Sequence, residues 1–175
     1  MEILEDVAQW QAEYKQNWLA HYKETGDMDW RNRYNRPKNK TAPSGSGIDL
    51  SQSRLMLISS AGGYLPESQT PFNTNKPDLG DYTLRQFPSS TSFSDIAYSH
   101  GFYDHSAVDE DPQVLLPLRH LETLADEGVI GEMASSVVSF CGWLPDVVRT
   151  IDELIPAIVA AAKAEEVDAA LLVPA

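Results

Sequence analysis

The sequence predicts an α/β fold, a parallel-sheet Rossmann-like domain, incomplete at its C-terminal side, preceded by an N-terminal amphipathic helix. Three observations predict it. In RLMLISSAGG, the apolar run at 55–58 leads into small residues and paired glycines, as a buried strand entering a tight turn does. SSVVSF, a helical segment and VDAALLV then follow as strand, helix and strand, the order of a right-handed parallel crossover. Ahead of both, Ile3, Val7, Trp10, Tyr14, Trp18 and Tyr22 recur at steps of three or four, the stripe of a helix buried on one side.

That helix covers residues 1–26 and is closed by Gly26. Its aromatic face needs cover from the main domain or a second subunit, because rings on one stripe otherwise form an exposed patch. Residues 27–50, rich in Pro, Asn, Gly and Ser, read as an extended linker with little core of its own. The α/β domain is then 51–175. After the first strand and its turn at 59–63, GDYTLRQFP reads as an exposed or edge strand. Pro112 starts a helix with Leu115, Leu118, Leu121, Leu124 and Ala125 on one face, ended by Gly128. The next strand is 135–140. A helix over 145–165 turns Val148, Ile151, Ile155, Ile158 and Ala162 inward, and Pro156 bends it. The crossover brings 139–143 and 174–175 to one edge of the sheet, where α/β proteins keep their chemistry.

At 175 residues, 42% of them apolar, the chain supports one main core. No window approaches the roughly 18 consecutive apolar residues of a membrane span, and MEILEDVAQW is acidic where a signal peptide is basic and then apolar. That points to the cytoplasm and away from membranes. A formal charge of −13 repels phosphate backbones, and the basic cluster at 31–40 lies in the linker, so nucleic acid is not the expected partner. Cys141 is the sole cysteine, so redox chemistry has to borrow its second sulfur.

The densest polar cluster is SHGFYDH, with Ser99, His100, Tyr103, Asp104 and His105. These side chains suit acid–base work or a loop-stapling hydrogen-bond network, and Asp104 can orient a histidine. The histidines are five apart, off a common helical face, and no metal is expected. Asp109, Glu110 and Asp111 read as a solvated acidic turn capping the next helix. SSAGG at 59–63 matches neither GxGxxG nor GxxxxGK[ST]. A turn whose backbone lines a pocket at Gly62 and Gly63, and a plain strand-end turn, both fit. Cys141, beside Phe140 and Trp143, reads as a small buried apolar residue.

Taken together, DYTLRQFP, SHGFYDHSAVDEDPQVLLPLRHLETLADEGVIGEMA and FCGWLPDVVRTIDELIPAIVAAAKAEEVDAALLVPA resemble, collinearly over 54–175, the selenoprotein B group of glycine, sarcosine, betaine and D-proline reductases. The resemblance rests most firmly on SHGFYDH, on LxxLxxEGxI at 121–130 and on VDAALLVPA. Residues 1–47 lie outside it. It implies an oxidoreductase subunit that reductively cleaves a C–N bond of a small amine or amino acid with a selenol or thiol. Relatives continue from the segment resembling VDAALLVPA into a selenocysteine or cysteine. The resemblance therefore implies a catalytic nucleophile just after Ala175, an in-frame UGA after codon 175, and truncation there. It further implies that His100, Tyr103, Asp104 and His105 line the substrate pocket over a floor of Gly62 and Gly63. It implies no cofactor in this chain itself, a selenocysteine in the full-length protein, and a pyruvoyl group in a partner subunit. A thiol or selenol redox partner protein and a homo- or hetero-oligomer complete the expectation. The alternative is a noncatalytic binding or assembly module of the same fold, with the aromatic stripe as its surface. A metal-assisted hydrolytic site at His100, Asp104 and His105 is a third reading.

Overall fold

The computed structural model describes residues 4–42 and 44–175, so Ile3, the first position of the aromatic stripe, lies outside the described residues. The chain divides into two compact units, Met1–Gly47 with Asp146–Val148, and Ile48–Pro145 with Arg149–Ala175.

In the first unit the stripe forms a helix: α1 (Val7–Tyr14) passes through a π-turn (Lys15–Leu19) into α2 (Ala20–Thr25). Gly26 ends it at φ 70, a left-handed conformation that costs glycine little. Trp10, Tyr14 and Trp18, each four residues on, are buried, with successive ring centroids 5.3 Å apart. Their cover is the segment directly following the helix. Tyr34 meets Trp18 edge-on at 5.0 Å and Tyr14 at 6.0 Å, and Trp30 lies 5.7 Å from Trp18. The Trp10 indole N–H donates to the Asn35 carbonyl at 3.0 Å, the Trp18 indole to that of Met28, and the Glu5 carboxylate accepts the Lys40 and Thr41 amides. Trp30 and Tyr34 carry no periodicity among their Pro, Asn and Arg neighbours, so the sequence points to the main domain or another subunit for this cover, and the structure supplies it from within the segment itself.

The chain then runs β1 (Arg54–Ser59), β2 (Gly63–Tyr64), β3 (Arg85–Pro88), β4 (Ala97–Tyr98), α3 (Ser106–Glu110), α4 (Leu118–Asp126), β5 (Glu132–Met133), β6 (Ser136–Ser139), α5 (Val147–Arg149), a π-turn (Thr150–Leu154), α6 (Ile155–Ala164) and β7 (Ala169–Val173). The fold is α/β, with a mostly parallel sheet. β1 is central. β7 pairs with it in parallel from Leu55↔Ala169 to Ser59↔Val173. Along its length β1 also pairs in parallel with β5 at Arg54↔Glu132 and with β6 at Ser59↔Ser139. β3 pairs antiparallel with β6 and bears out the edge-strand reading. Arg54 secures the opposite end of the sheet: its side chain reaches Glu132 at 2.8 Å and the Glu165 carbonyl at 2.6 Å, and its amide donates to Asp168.

Alternation along β1 builds two cores, as the period of a strand dictates. Leu55 and Leu57 pack with Phe87, Val137 and the α4 residues Leu118 and Leu121. Met56 and Ile58 pack with Val138 and the α6 residue Ala161, flanked by Ile158 and Ala162. Each fully buried aliphatic side chain contributes roughly 1.5–3 kcal/mol.

Two helices depart from expectation, and proline explains both. Pro112 starts only a single 3₁₀ turn, capped by the Asp111 carboxylate accepting the Gln113 amide at 2.9 Å; α4 begins at Leu118, because Pro117 disfavours helical backbone in Leu116. Pro156 follows the π-turn, whose widened ladder absorbs the missing N–H. The additional residue rotates the helix faces: Leu154 is buried, whereas Ile155, expected inward, is 45% exposed.

Candidate functional site at the carboxyl edge of the sheet

β1, β6 and β7 finish level with one another, since Ser59 opposes both Ser139 and Val173. The segments leaving β1 and β6 stay zipped beyond the strands. Phe140 N–H donates to the Ser59 carbonyl at 3.0 Å, Gly142 N–H to that of Ser60 at 3.0 Å, and Gly62 N–H to that of Phe140 at 2.9 Å. On the other flank, Ser60 N–H donates to the Val173 carbonyl at 3.1 Å and Ser60 Oγ accepts the Ala175 amide at 2.8 Å. Backbone bonds and the Ser60 hydroxyl thus bring 139–143 and 174–175 to one edge of the sheet, as expected.

SHGFYDH is tied down onto this edge. Ser99 N–H donates to the Gly62 carbonyl at 3.0 Å and the Tyr103 hydroxyl donates to that of Ala61 at 3.1 Å. Gly62 has φ 70, and a Cβ there would lie 2.9 Å from His100 Cβ, so both backbone and space demand glycine. Gly63 is buried in the short β2–β4 ladder, and a side chain there would meet only ordinary contacts. At exposed Gly142 a Cβ would sit 3.1 Å from both His100 Nε2 and Ser60 Oγ, which marks where those two groups converge.

The hydrogen bonds assign the histidine protons. His100 Nδ1 accepts the Phe102 amide at 3.2 Å, so a neutral His100 carries its proton on Nε2, the atom facing Gly142. Burial holds its pKa below 6.5, with His105 adding to the effect, and the ring is neutral at pH 7. His105 donates from Nε2 to the His100 carbonyl at 2.7 Å and stacks on Tyr103 at 4.4 Å. Burial, then the Asp109 charge and Cys141, push the Tyr103 hydroxyl up to about 12. Asp104 is exposed, and its carboxylate accepts the Ser106 amide at 2.9 Å; its hydrogen bond goes to the start of α3, not to a histidine.

Cys141 is fully buried, bridged to Ala61, and burial raises its thiol pKa, so it is a poor nucleophile. Two buried hydroxyls, Tyr98 Oη and Ser139 Oγ, have no hydrogen-bond partner among the described residues; Ser139 Oγ lies 3.5 Å from the position of a Gly63 Cβ. Among the described residues no group of three His, Cys, Asp or Glu is arranged to hold a metal ion. The arrangement offers uncharged donors, His100 Nε2–H and the Ser60 hydroxyl, aimed at one solvent-facing point, as suits holding negative charge.

His100, Tyr103, His105, Gly62 and Gly63 therefore gather at one edge, while Asp104 faces solvent. The sequence points to Ser60 only as part of SSAGG and to Gly142 only as part of 139–143; each lies one to three residues past a parallel strand, and aligning the strand ends brings them together. No helix among the described residues is long and apolar enough to cross a membrane.

The D-proline reductase subunit gamma of Acetoanaerobium sticklandii is 32% identical over 124 residues, 71% of this chain and 49% of that protein. The sarcosine reductase complex component B subunit beta of Peptoclostridium acidaminophilum is 30% identical over 106 residues, 59% of this chain and 24% of that protein. The chain thus spans about half the length of the first and a quarter of the second. No solved structure matches significantly. The model of the family described as glycine/sarcosine/betaine reductase selenoprotein B matches residues 22–175, a stretch that contains every strand and every site residue above, and the chain belongs to that family.

Proposed function

We propose that this chain forms the substrate-pocket part of a cytoplasmic selenoprotein-B-type reductase subunit, which cleaves a C–N bond of a small amine or amino acid. The observation that carries the reading is the convergence of His100 Nε2 and the Ser60 hydroxyl at Gly142, with Ser60 also holding the Ala175 amide. A selenol or thiol placed C-terminal to Ala175, with a second thiol, supplies the chemistry: the pair is oxidised to an Se–S or S–S bond while the C–N bond takes up two electrons and two protons, giving C–H and N–H. The residues present fit such a group, because the space at Gly142 is bounded by donors and the buried Ser139 hydroxyl near Gly63 is unpartnered among the described residues.

On this reading neutral His100 donates from Nε2 to negative charge at the sheet edge. Tyr103, protonated up to about pH 12, pins its loop through the Ala61 carbonyl. Gly62 lets that loop approach, and Gly62 and Gly63 form the pocket floor. Cys141 packs and takes no electrons. The relatives' names describe reductase subunits, which supports assembly with other subunits; a partner subunit carrying any pyruvoyl group and a separate thiol or selenol electron donor complete the proposal.

The test combines the nucleotide sequence after codon 175 with selenium analysis and intact mass of the protein from its native cells. An in-frame UGA or cysteine codon with continued coding, and a mass above 19.4 kDa, are expected. An ordinary stop codon, a native mass of 19.4 kDa and no selenium would overturn the proposal in favour of a noncatalytic module of this fold.

A further inference from the structure

The basic cluster set aside with the linker has a place in the first unit. Residues 31–40 hold Arg31, Arg33, Arg36, Lys38 and Lys40 with no acidic residue, in a chain of formal charge −13. Arg33 is engaged by Asn17 and Asp29, and Lys40 lies 3.9 Å from Asp6. Arg36 and Lys38 are exposed and border an open cleft of about 380 Å³, completed by Trp30, Tyr34 and Asn35. Across Asn35 a second cleft, of about 390 Å³, is bordered by Glu13, Gln16 and Asn17. Asn35 borders both clefts, and the groove proposed below runs from one to the other across it, with distinct chemistry at each end.

Trp30 is 47% exposed yet fixed, because its ring stands edge-on to Tyr34 at 4.6 Å and packs on Trp18. A pre-ordered indole loses little entropy on binding. Arg36 lies 5.6 Å from the Tyr34 ring, which fixes the direction of its guanidinium. Such a fork matches carboxylates. Gln16, Asn17 and Asn35 add primary amides, each a donor and an acceptor, the pairing that an extended peptide backbone requires.

We propose that this groove docks an extended acidic segment of a partner protein. Its carboxylates meet Arg36 and Lys38, an apolar side chain lies on Trp30, and its backbone follows the amides toward Gln16. Charge complementarity at Arg36 and Lys38 selects this occupant, and Glu13 at the other end disfavours a strand with a phosphate at every position while leaving room for a peptide backbone whose carboxylates lie at the Arg36 end. The proposal is independent of the reductase reading, since it concerns binding by the first unit alone.

The test uses the full chain and three labelled probes followed by anisotropy: a ~12-residue Glu/Leu peptide, a Lys/Leu peptide of equal length and a ~12-nucleotide thymidine strand. The Glu/Leu peptide should bind most tightly, weaken severalfold between about 0.05 and 0.3 M salt, and lose about tenfold in affinity to R36E/K38E. Both substituted residues are exposed, so an unchanged melting curve separates lost binding from lost fold. R36Q/K38Q should give an intermediate loss. Equal binding of the Glu/Leu and Lys/Leu peptides, or unchanged affinity in R36E/K38E, would overturn the proposal. Tighter binding of the thymidine strand would overturn it in favour of nucleic acid.

Discussion

Ser60 Oγ accepts the backbone N–H of Ala175 at 2.8 Å, joining the turn after the first strand of the sheet to the residue two places beyond the last. Because Ser60 also donates its own amide to Val173 and accepts that of Gly142, one residue coordinates the ends of three parallel strands. The two residues that follow β7 are therefore fastened to the turn after β1 by a serine hydroxyl.

Replacing Ser60 with alanine should cost about 1 kcal/mol, the usual net value of one such bond. Hydrogen exchange should accelerate at the Ala175 amide while the Ser60 amide, bonded to Val173, keeps its protection. Equal loss of protection at both would show that the side chain holds the whole sheet edge, not Ala175 alone.

Acid should destabilise the protein in two separable windows. Burial lowers the folded pKa of His100 below 6.5, so on acidification the unfolded chain takes up this proton first. Stability from this group is complete above pH 6.5 and falls as pH drops below it. Glu165 and Asp81 act lower. Burial raises both, but hydrogen bonds from Ser136 and Ser135, and from Thr83 and Asn73, outweigh it and leave them below their usual 4.5 and 3.8. Their stability is lost only as pH falls through those lower folded values. Melting temperatures of wild type and H100Q should diverge as pH falls below 6.5 and run parallel once it is below the lowered folded value.

Gly62→Ala should destabilise by about 2 kcal/mol or more, because a left-handed backbone and a contact of 2.9 Å with His100 act together. Gly63→Ala should cost under about 1 kcal/mol, its new atom meeting neighbours at 3.5 Å or beyond. Denaturant midpoints of the two variants read the difference directly.

Cys141 should resist alkylation by iodoacetamide at pH 8 in the folded protein and react stoichiometrically once unfolded. Its burial and raised pKa both suppress the thiolate. Rapid native labelling would return it to consideration as a nucleophile.

Where one periodicity governed a long stretch, the sequence was legible. Trp10, Tyr14 and Trp18 announced their helix, and the buried runs of β1 and β6 with the helix before β7 implied a parallel sheet with its chemistry at one edge. The β2–β4 ladder escaped notice because two residues per strand carry no period. Ile155 was misplaced because a π-turn inserts a residue that apolar spacing does not record. In the site, His100 stood out by chemistry, whereas Ser60 and Gly142 matter through position and become visible only once strand ends are aligned.

β7 has a practical consequence. Among the described residues it pairs on one side only, and its run AALLV holds no charge and no proline, with Leu172 68% exposed. Those are the properties of a strand edge that recruits other strands, normally blunted by lysine or proline. Concentrated preparations of this chain will therefore be limited by edge-to-edge stacking despite its net charge of −13, and a lysine at position 172 is the gatekeeper that should keep it monodisperse.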